Sequence, residues 1–333
     1  MTKLRISIVE FLNTAPLVWS FTDGPLAGRY ALSFTVPSLC AEALRAGDAD
    51  VAIIPAIEYQ RIPNLVVLPD MAVAAKGEVR SILLLAKKPV QLAKRIALDT
   101  NSRSSVALVR LLCRGLWNIS PEFVAAPPDP SAMLADADAA LLIGDPALRV
   151  RIEMDALATR QSAAPGAACC AGDAGDLPVP GVDTLFIYDI AQQWREMTGK
   201  PCVLAVWAAR REAVTPQVVA DFLASRDYGL SHIGDIAEGA ALKLDLPPNQ
   251  LESYLRESID FSLDAENLAG LNLYFNECAR AGLIPAARPI EFAARAESAV
   301  ADRTAAPKRA AQAAHGGKAG TARGERAGTS KGR

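Results

Sequence analysis

Four polar turns stand where a β-rich run of this chain gives way to a helical one, and they hold the side chains best suited to chemistry. They are Phe11-Leu12-Asn13-Thr14-Ala15-Pro16, Val79-Arg80-Ser81, Asp99-Thr100-Asn101-Ser102-Arg103-Ser104-Ser105 and Ile143-Gly144-Asp145-Pro146. Each sets hydroxyl or amide groups beside backbone N–H groups that a helix start leaves without intrahelical partners, an arrangement that suits a carboxylate or phosphate. One such turn is an ordinary helix cap. Four in one α/β chain point to a ligand site, because open α/β sheets bind at their strand ends. Of the two histidines, His232 lies in a helical run between Ser231 and Ile233, and His315 lies near the C-terminus. Acid–base chemistry therefore falls to carboxylates, hydroxyls, amides or the substrate itself. The G-x-x-x-x-G-K-[ST], G-x-G-x-x-G, G-x-S-x-G and H-E-x-x-H patterns are missing, which leaves nucleotide binding, elbow-serine hydrolysis and zinc proteolysis without support.

The elements around these turns alternate in type. Leu4–Val9, Tyr30–Val36, Asp50–Pro55, Leu65–Leu68, Met71–Ala75 and Val79–Ala86 read as strands, with a helix starting at Asn13 and another over Leu39–Ala46, capped by Ser38 and stopped by Gly47. A second set follows: strands at Arg95–Leu98, Glu122–Ala125 and Ala139–Ile143, a helix over Ser104–Leu116, a helix over Asp189–Met197 and a strand at Cys202–Ala208. Thr215–Leu283 reads as almost wholly helical. The strands of the second set lie between stretches that serve the first. The pattern predicts an α/β protein of two lobes with a ligand cleft between them and two interlobe crossings: lobe 1 from 1–86 and 206–290, lobe 2 from 87–205. An Ala/Gly/Pro-rich stretch at 156–182 reads as a mobile loop insertion, and 291–333 as a disordered basic tail.

Length and composition agree with this. The 333 residues, 51% of them hydrophobic, suffice for two lobes and a sizeable core. The net charge of -2 joins unlike parts: eight of the 35 Lys/Arg but one of the 37 Asp/Glu lie in 303–333, which leaves the preceding 302 residues with 27 basic and 36 acidic side chains. No apolar run reaches the roughly 20 residues of a membrane helix, and the N-terminus alternates like a strand with no leader pattern, so a cytoplasmic location is expected. The six cysteines, at 40, 113, 169, 170, 202 and 278, show no metal-ligand spacing.

Six segments are similar to those of the chorismate dehydratase family of the futalosine route to menaquinone. They are Phe11–Leu17, Ala52–Tyr59, Val79–Leu84, Asn101–Val106, Leu142–Leu148 and Tyr188–Trp194, in family order over 10–283. Ala56 departs from a hydroxyl residue common in relatives and Ser104 from a threonine; the 156–182 stretch and the basic tail look like additions. The resemblance implies the two-lobed fold of type II periplasmic binding proteins turned into a cytoplasmic enzyme, in accord with the two-crossing reading.

It also implies a reaction: loss of water from chorismate to give 3-[(1-carboxyvinyl)oxy]benzoate, by a hydro-lyase without cofactor or metal. In that scheme Asn13 and Ser81 are the catalytic contacts. Thr14, Arg80, Arg103, Ser104, Ser105, Gly144 and Asp145 bind the substrate, with Ser104, Ser105 and their helix gripping a carboxylate; Asp145 equally suits a helix cap. The substrate's enolpyruvyl carboxylate is a candidate base. The partner is thus a small dicarboxylate, chorismate, with neither nucleic acid nor membrane expected, and the oligomeric state is left open. Three alternatives stand beside this reading. A solute-binding protein would share the fold without the chemistry. The related dihydroxynaphthoate synthase would carry a Cys-Pro-Asn-Asp type segment where this chain has Leu12-Asn13-Thr14-Ala15-Pro16. A nucleic-acid binder would use the tail, whose Lys/Arg-rich part at 303–333 holds no Phe, Tyr or Trp.

Overall fold

The computed structural model describes residues 3–162, 174–175 and 185–295, which belong to one compact unit. It contains two sheets. β1 (Arg5–Val9), α1 (Ala15–Thr22), β2 (Ala31–Thr35), α2 (Pro37–Ala46), β3 (Val51–Pro55), α3 (Ala56–Arg61) and β4 (Leu65–Ala75) open the first lobe. The second lobe runs through β5 (Ile82–Ala86), β6 (Arg95–Asp99), α4 (Ser104–Gly115), β7 (Glu122–Ala126), α5 (Pro130–Asp136), β8 (Ala139–Ile143), α6 (Gly144–Ser162), β9 (Ala174–Gly175) and β10 (Leu185–Asp189). Helix α7 (Ile190–Thr198) leads back to β11 (Cys202–Arg210), and α8 (Pro216–Ser231), α9 (Ile233–Leu244), α10 (Pro248–Ser253) and α11 (Ala265–Arg280) complete the first lobe. Among the described residues, no helix is long and apolar enough to cross a membrane.

The first sheet has the order β2-β1-β3-β11-β4 and the second β7-β6-β8-β5-β10-β9. In each, parallel strands at one side meet antiparallel ones contributed across a crossing. The central strands explain themselves: β3 (Val-Ala-Ile-Ile-Pro) and β5 (Ile-Leu-Leu-Leu-Ala) are buried along their whole length, as continuous apolar runs must be when both faces are covered.

The crossings fall elsewhere than the sequence suggests. Ile82–Ala86 pairs with β8 and β10 and so belongs to the second sheet, while Cys202–Arg210 pairs with β3 and β4 from its first residue. The outgoing crossing is therefore 76–81, not 86–87, and the return is complete by 202, not 206. Expected strand Val79–Ala86 shrinks to its second half because Arg80 turns left-handed, at φ +59°. Leu65–Leu68 and Met71–Ala75 form one strand, bent at Asp70 (φ +63°) and irregular in its pairing with β11. Helix α2 starts at Pro37 behind Val36, so Ser38 is inside the first turn rather than its cap.

The additions are shorter than expected at their described ends. Helix α6 continues through 156–162, and β9 pairs with β10; the rest of the 156–182 stretch lies outside the described residues. Residues 291–293 lie along β4, with the Val67 N–H donating to Glu291 O (2.8 Å) and the Ala293 N–H to Val67 O (2.9 Å), and the tail beyond 295 is outside the described residues.

Helix α1, which carries the first polar turn, is seated by α8. The two come so close that a methyl group on Gly229 would overlap the Pro16 carbonyl. Gly229→Ala is expected to force α1 away from α8 and lower stability by about 1–3 kcal/mol or more, as overpacking against rigid backbone does. Thermal melting followed by circular dichroism checks this; an unchanged midpoint would show that the seat is compliant.

Candidate functional site

Three of the four polar turns meet in one cavity between the lobes. Its walls are Val9, Phe11, Asn13, Thr14 and Pro37 from the β1 and β2 ends, Pro55, Val73, Leu204 and Ala205 from the first sheet, and Ile82, Ser102, Arg103, Ser104, Ser105, Ile143 and Gly144 from the second lobe. The residues sit there because each follows the C-terminal end of a strand, Phe11 after β1 of the first sheet, Ser102 after β6 and Gly144 directly after β8 of the second, and these ends of the two sheets face the same cavity.

Helix α4 starts at this cavity behind Arg103, and no side chain accepts its first-turn N–H groups. Such an N-terminus carries about half a positive charge and offers its N–H groups to an anion. Helix α1 offers less: a 3-10 turn, Leu12–Thr14, precedes it, the Thr14 and Ala15 N–H groups donate to Phe11 O and Leu12 O, and Pro16 has none. Caps by the flanking side chain are absent from α2, α3, α9 and α10 as well, so it is the place of α4 at the wall, with Ser104 and Ser105 in its first turn, that marks it.

The hydroxyl and amide groups are held in defined positions. Thr14 Oγ1 donates to Asn13 Oδ1 at 3.3 Å. Ser104 Oγ accepts the Ile57 N–H at 3.3 Å, and Ser104 O accepts the Tyr274 hydroxyl at 3.0 Å. Ser105 lies beside it, buried, on the same wall. Ser81 is 0% exposed and stands behind Ile82; its O accepts the Gly144 N–H at 2.8 Å and its Oγ accepts the Tyr254 hydroxyl at 2.8 Å.

The remaining expected residues divide. Gly144 is a wall residue in the left-handed region (φ +67°), and a methyl there would stand 2.5 Å from the Phe11 ring. Arg103 is a wall residue paired at 3.7 Å with Glu42 across the lobes. Asp145 is turned away from the cavity: its Oδ1 accepts the Leu12 N–H at 2.9 Å, joining the second lobe to the first. Burial pushes its carboxyl up to about 6, opposed by the Leu12 N–H and Lys243. Arg80 is not on the wall; its guanidinium reaches Asp155 (3.2 Å) and Gln250 (3.3 Å). His232, set between α8 and α9, stacks on Tyr228 away from this cavity.

Two positions that hold the expected site residues in place escape sequence reasoning. Tyr254, fully buried, bonds Ser81 from a helical stretch with no local sign of a site. Asp189 accepts four backbone N–H groups, from Val79 (3.0 Å), Arg80 (2.7 Å), Ala191 (3.0 Å) and Gln192 (3.1 Å). Its signal was its place in Tyr188–Trp194, one of the six segments.

The lobes are closed on each other. The Ser38 N–H donates to Asn101 O at 3.2 Å, and together with Ile57–Ser104, Leu12–Asp145 and Glu42–Arg103 it rings the cavity. The space inside is about 60 Å³, well under the roughly 300 Å³ at the small end of ligand sites. A ring-sized ligand enters only if these contacts part.

The comparisons with known proteins agree with this architecture. The pattern of a family described as menaquinone biosynthesis matches residues 4–280. Chorismate dehydratase of Thermus thermophilus is 31% identical over 257 residues, 77% of this chain and 88% of that protein. Among solved structures, a protein of Archaeoglobus fulgidus superposes with a TM-score of 0.62 at 17% identity, covering 85% of this chain and 98% of that one. The periplasmic aliphatic sulphonate binding protein of Escherichia coli gives 0.54 at 15% identity, covering 89% and 95%. The fold is thus that of the two-lobed periplasmic binding proteins.

Two predictions follow from the contacts at the Gly144–Asp145 corner. Gly144→Ala is expected to open the Phe11 contact and to cut ligand affinity, because the left-handed backbone and the ring both resist a methyl group; titration calorimetry against a ligand of the wild-type protein measures it. Asp145, with a carboxyl held near 6 rather than the ordinary 3.8, binds its proton more tightly folded than unfolded. Its contribution to stability is greatest below pH 4 and is lost as pH rises through 6. Asp145→Asn, which keeps the acceptor for Leu12, should therefore gain stability relative to wild type between pH 4 and 6 and hold that gain above. Urea titrations across this range would contradict the assignment if the difference stayed flat.

Proposed function

The chain belongs to the menaquinone-biosynthesis family, and on that premise we propose that its cleft removes water from chorismate to give 3-[(1-carboxyvinyl)oxy]benzoate, as a hydro-lyase. The observation that carries the reading is the composition of the wall: an amide, hydroxyls, one arginine and the uncapped start of α4 around an otherwise apolar space, with no aspartate, glutamate, histidine, lysine or tyrosine among the described lining residues. This is a cleft built to hold carboxylates, and chorismate has two.

The chemistry asks little else. The proton leaves ring carbon 3 and hydroxide leaves carbon 4; the C3–H and C4–O bonds break, a C3=C4 bond forms, and water departs. No electron enters or leaves, so no redox cofactor is needed. Carbon 3 is vinylogous to the ring carboxylate, and removing its proton spreads negative charge toward that group. Aromatisation supplies the driving force. The leaving hydrogen and hydroxyl share a ring face, so one group can take the proton and hand it to the departing oxygen. The substrate's enolpyruvyl carboxylate, tethered at carbon 3, is such a group, and the wall offers no competitor.

In this scheme α4 and the hydroxyls of Ser104 and Ser105 hold one carboxylate, with Arg103 at its edge, each charge-assisted bond contributing roughly 1.5–3 kcal/mol. Asn13 and Thr14, at the start of α1, face the other side of the ring. Asn13 bonds the departing hydroxyl or fixes the side-chain carboxylate, and Ser81 donates to the leaving oxygen. Gly144 lets the second lobe approach closely. Arg80 and Asp145 serve the frame: Arg80 braces the crossing against Asp155 and Gln250, and Asp145 latches the lobes.

The test is direct. Purified protein mixed with chorismate should turn the diene absorbance into that of an aromatic ring, and mass spectrometry should show the loss of one water; a folded sample that leaves chorismate unchanged overturns the reading. Asn13→Ala should keep its fold and lose turnover by about 100-fold or more, the scale on which a donor to developing charge acts. Near-normal turnover in that variant would remove Asn13 from the reaction.

A further inference from the structure

Behind the cleft wall stands a phenol that the reaction scheme above does not use. Tyr254 opens a π-helical turn, Tyr254–Ser258, that follows α10 and leads to Asp260, which bridges to Ala74 on β4. Single π turns inside helices recur at functional sites. The side chain is 1% exposed, and burial pushes its hydroxyl well above the ordinary tyrosine range, so it remains a proton donor at any working pH. That hydroxyl donates to Ser81 Oγ at 2.8 Å, and Asn13 is among the side chains that pull against the effect of burial on it. One buried hydroxyl thus bonds one of the two side chains assigned to the chemistry and feels the other.

The proton inventory allows one self-consistent direction. The phenol has one proton and gives it to Ser81, so toward Asn13 it can act only as an acceptor, from the amide nitrogen. The amide oxygen is left to accept from Thr14 Oγ1, the contact seen at 3.3 Å. Ser81, with one lone pair taken by the phenol, must send its own proton elsewhere. Each bond in the series Asn13 to Tyr254 to Ser81 polarises the next, which makes the last hydroxyl the stronger donor. A second contact from the same segment supports the crossing: the Arg80 guanidinium donates to Gln250 Oε1 on α10. The α10–π segment therefore grips two successive residues of that crossing.

Resting on the reading of the site as a chorismate-dehydrating cleft, we propose that Tyr254 is a positioning residue, whose hydroxyl turns the Ser81 proton toward the departing oxygen of the substrate and holds the Asn13 amide in the cleft wall. It touches no reacting atom and acts through Ser81.

The experiment uses the full-length protein and chorismate. Wild-type turnover reports on the reading beneath the proposal, and a wild type inert to chorismate overturns both at that level. The ratio of variants to an active wild type reports on Tyr254 alone. Tyr254→Phe keeps the ring and removes the proton; it should lower kcat about tenfold or more and leave KM within about twofold, the pattern of a lost transition-state interaction. Ser81→Ala should lower kcat by itself, and adding Tyr254→Phe to it should cost almost nothing more, because both changes remove the same donor. The proposal is overturned if Tyr254→Phe keeps its kcat, if its effect falls on KM, or if the two losses multiply. It is overturned as well if circular dichroism and thermal melting show that Tyr254→Phe does not fold, since the hydroxyl would then support the core rather than the site.

Discussion

The two stretches of chain that cross between the sheets are tied to a single buried carboxylate. Asp189 takes two backbone N–H groups from the outgoing crossing, Val79 and Arg80, and two from the start of the return helix, Ala191 and Gln192. Burial pushes its carboxyl up to about 6 and the donors around it pull the other way; four N–H groups are what a charge so deep requires. The consequences run outward from there. With its N–H claimed by Asp189, Arg80 sits in the left-handed region, the chain turns at that point, and Ser81 is delivered to the interior one residue before β5 begins. The Gly144 N–H then closes on Ser81 O and sets the end of β8 beside it. Remove the carboxylate and Ser81, Gly144 and both crossings lose their common reference.

Net charge is the wrong quantity by which to judge whether an acidic body can hold an anion. What matters is which dipoles face the cavity. α4 begins at its wall with no side chain satisfying its first N–H groups, and Ser104 and Ser105 stand in that first turn. Helix ends without a partner are costly when buried; an open one at a cavity suits a ligand that supplies the missing acceptors. α1 differs, because the turn before it uses the Thr14 and Ala15 N–H groups and Pro16 has none. Meanwhile surplus acidic residues serve surface pairs such as Arg5–Asp50 and helix caps such as Asp264.

Much of this was legible in the sequence, and what was not has identifiable causes. Three of the four polar turns do converge, because the C-terminal ends of β1 in the first sheet and of β6 and β8 in the second face one cavity. The two-lobed α/β arrangement is also there, visible in strands interrupted by a second set. The strand at Val79–Ala86 was misjudged at its start: apolar pattern alone cannot show that Asp189, more than a hundred residues on, would claim the N–H groups of Val79 and Arg80. Ser38 resembles a cap, yet Pro37 is the better first residue and pulls the helix start forward. Arg80 had the charge for an anion site, and only tertiary structure shows its guanidinium committed to Asp155 and Gln250. Tyr254 illustrates the same limit from the other side. Its role depends on one hydroxyl meeting Ser81 from 173 residues away, and nothing local distinguishes it from a core tyrosine such as Tyr59 or Tyr274.

In the dehydration proposed for this cleft, the choice of base turns on the exclusion of water rather than on any one side chain. A carboxylate in water is a weak base, with a pKa near 4. Burial raises the Asp145 and Asp189 carboxyls to about 6 in this protein, and a substrate carboxylate shielded from water would be raised for the same reason. One held by α4 and the hydroxyls of Ser104 and Ser105 would be compensated and stay a weak base, fit to receive charge spreading from the ring. The described wall has no Asp, Glu, His, Lys or Tyr to take the proton instead. On that proposal, closure around the substrate would separate its two chemically similar carboxylates into an anchor and a base.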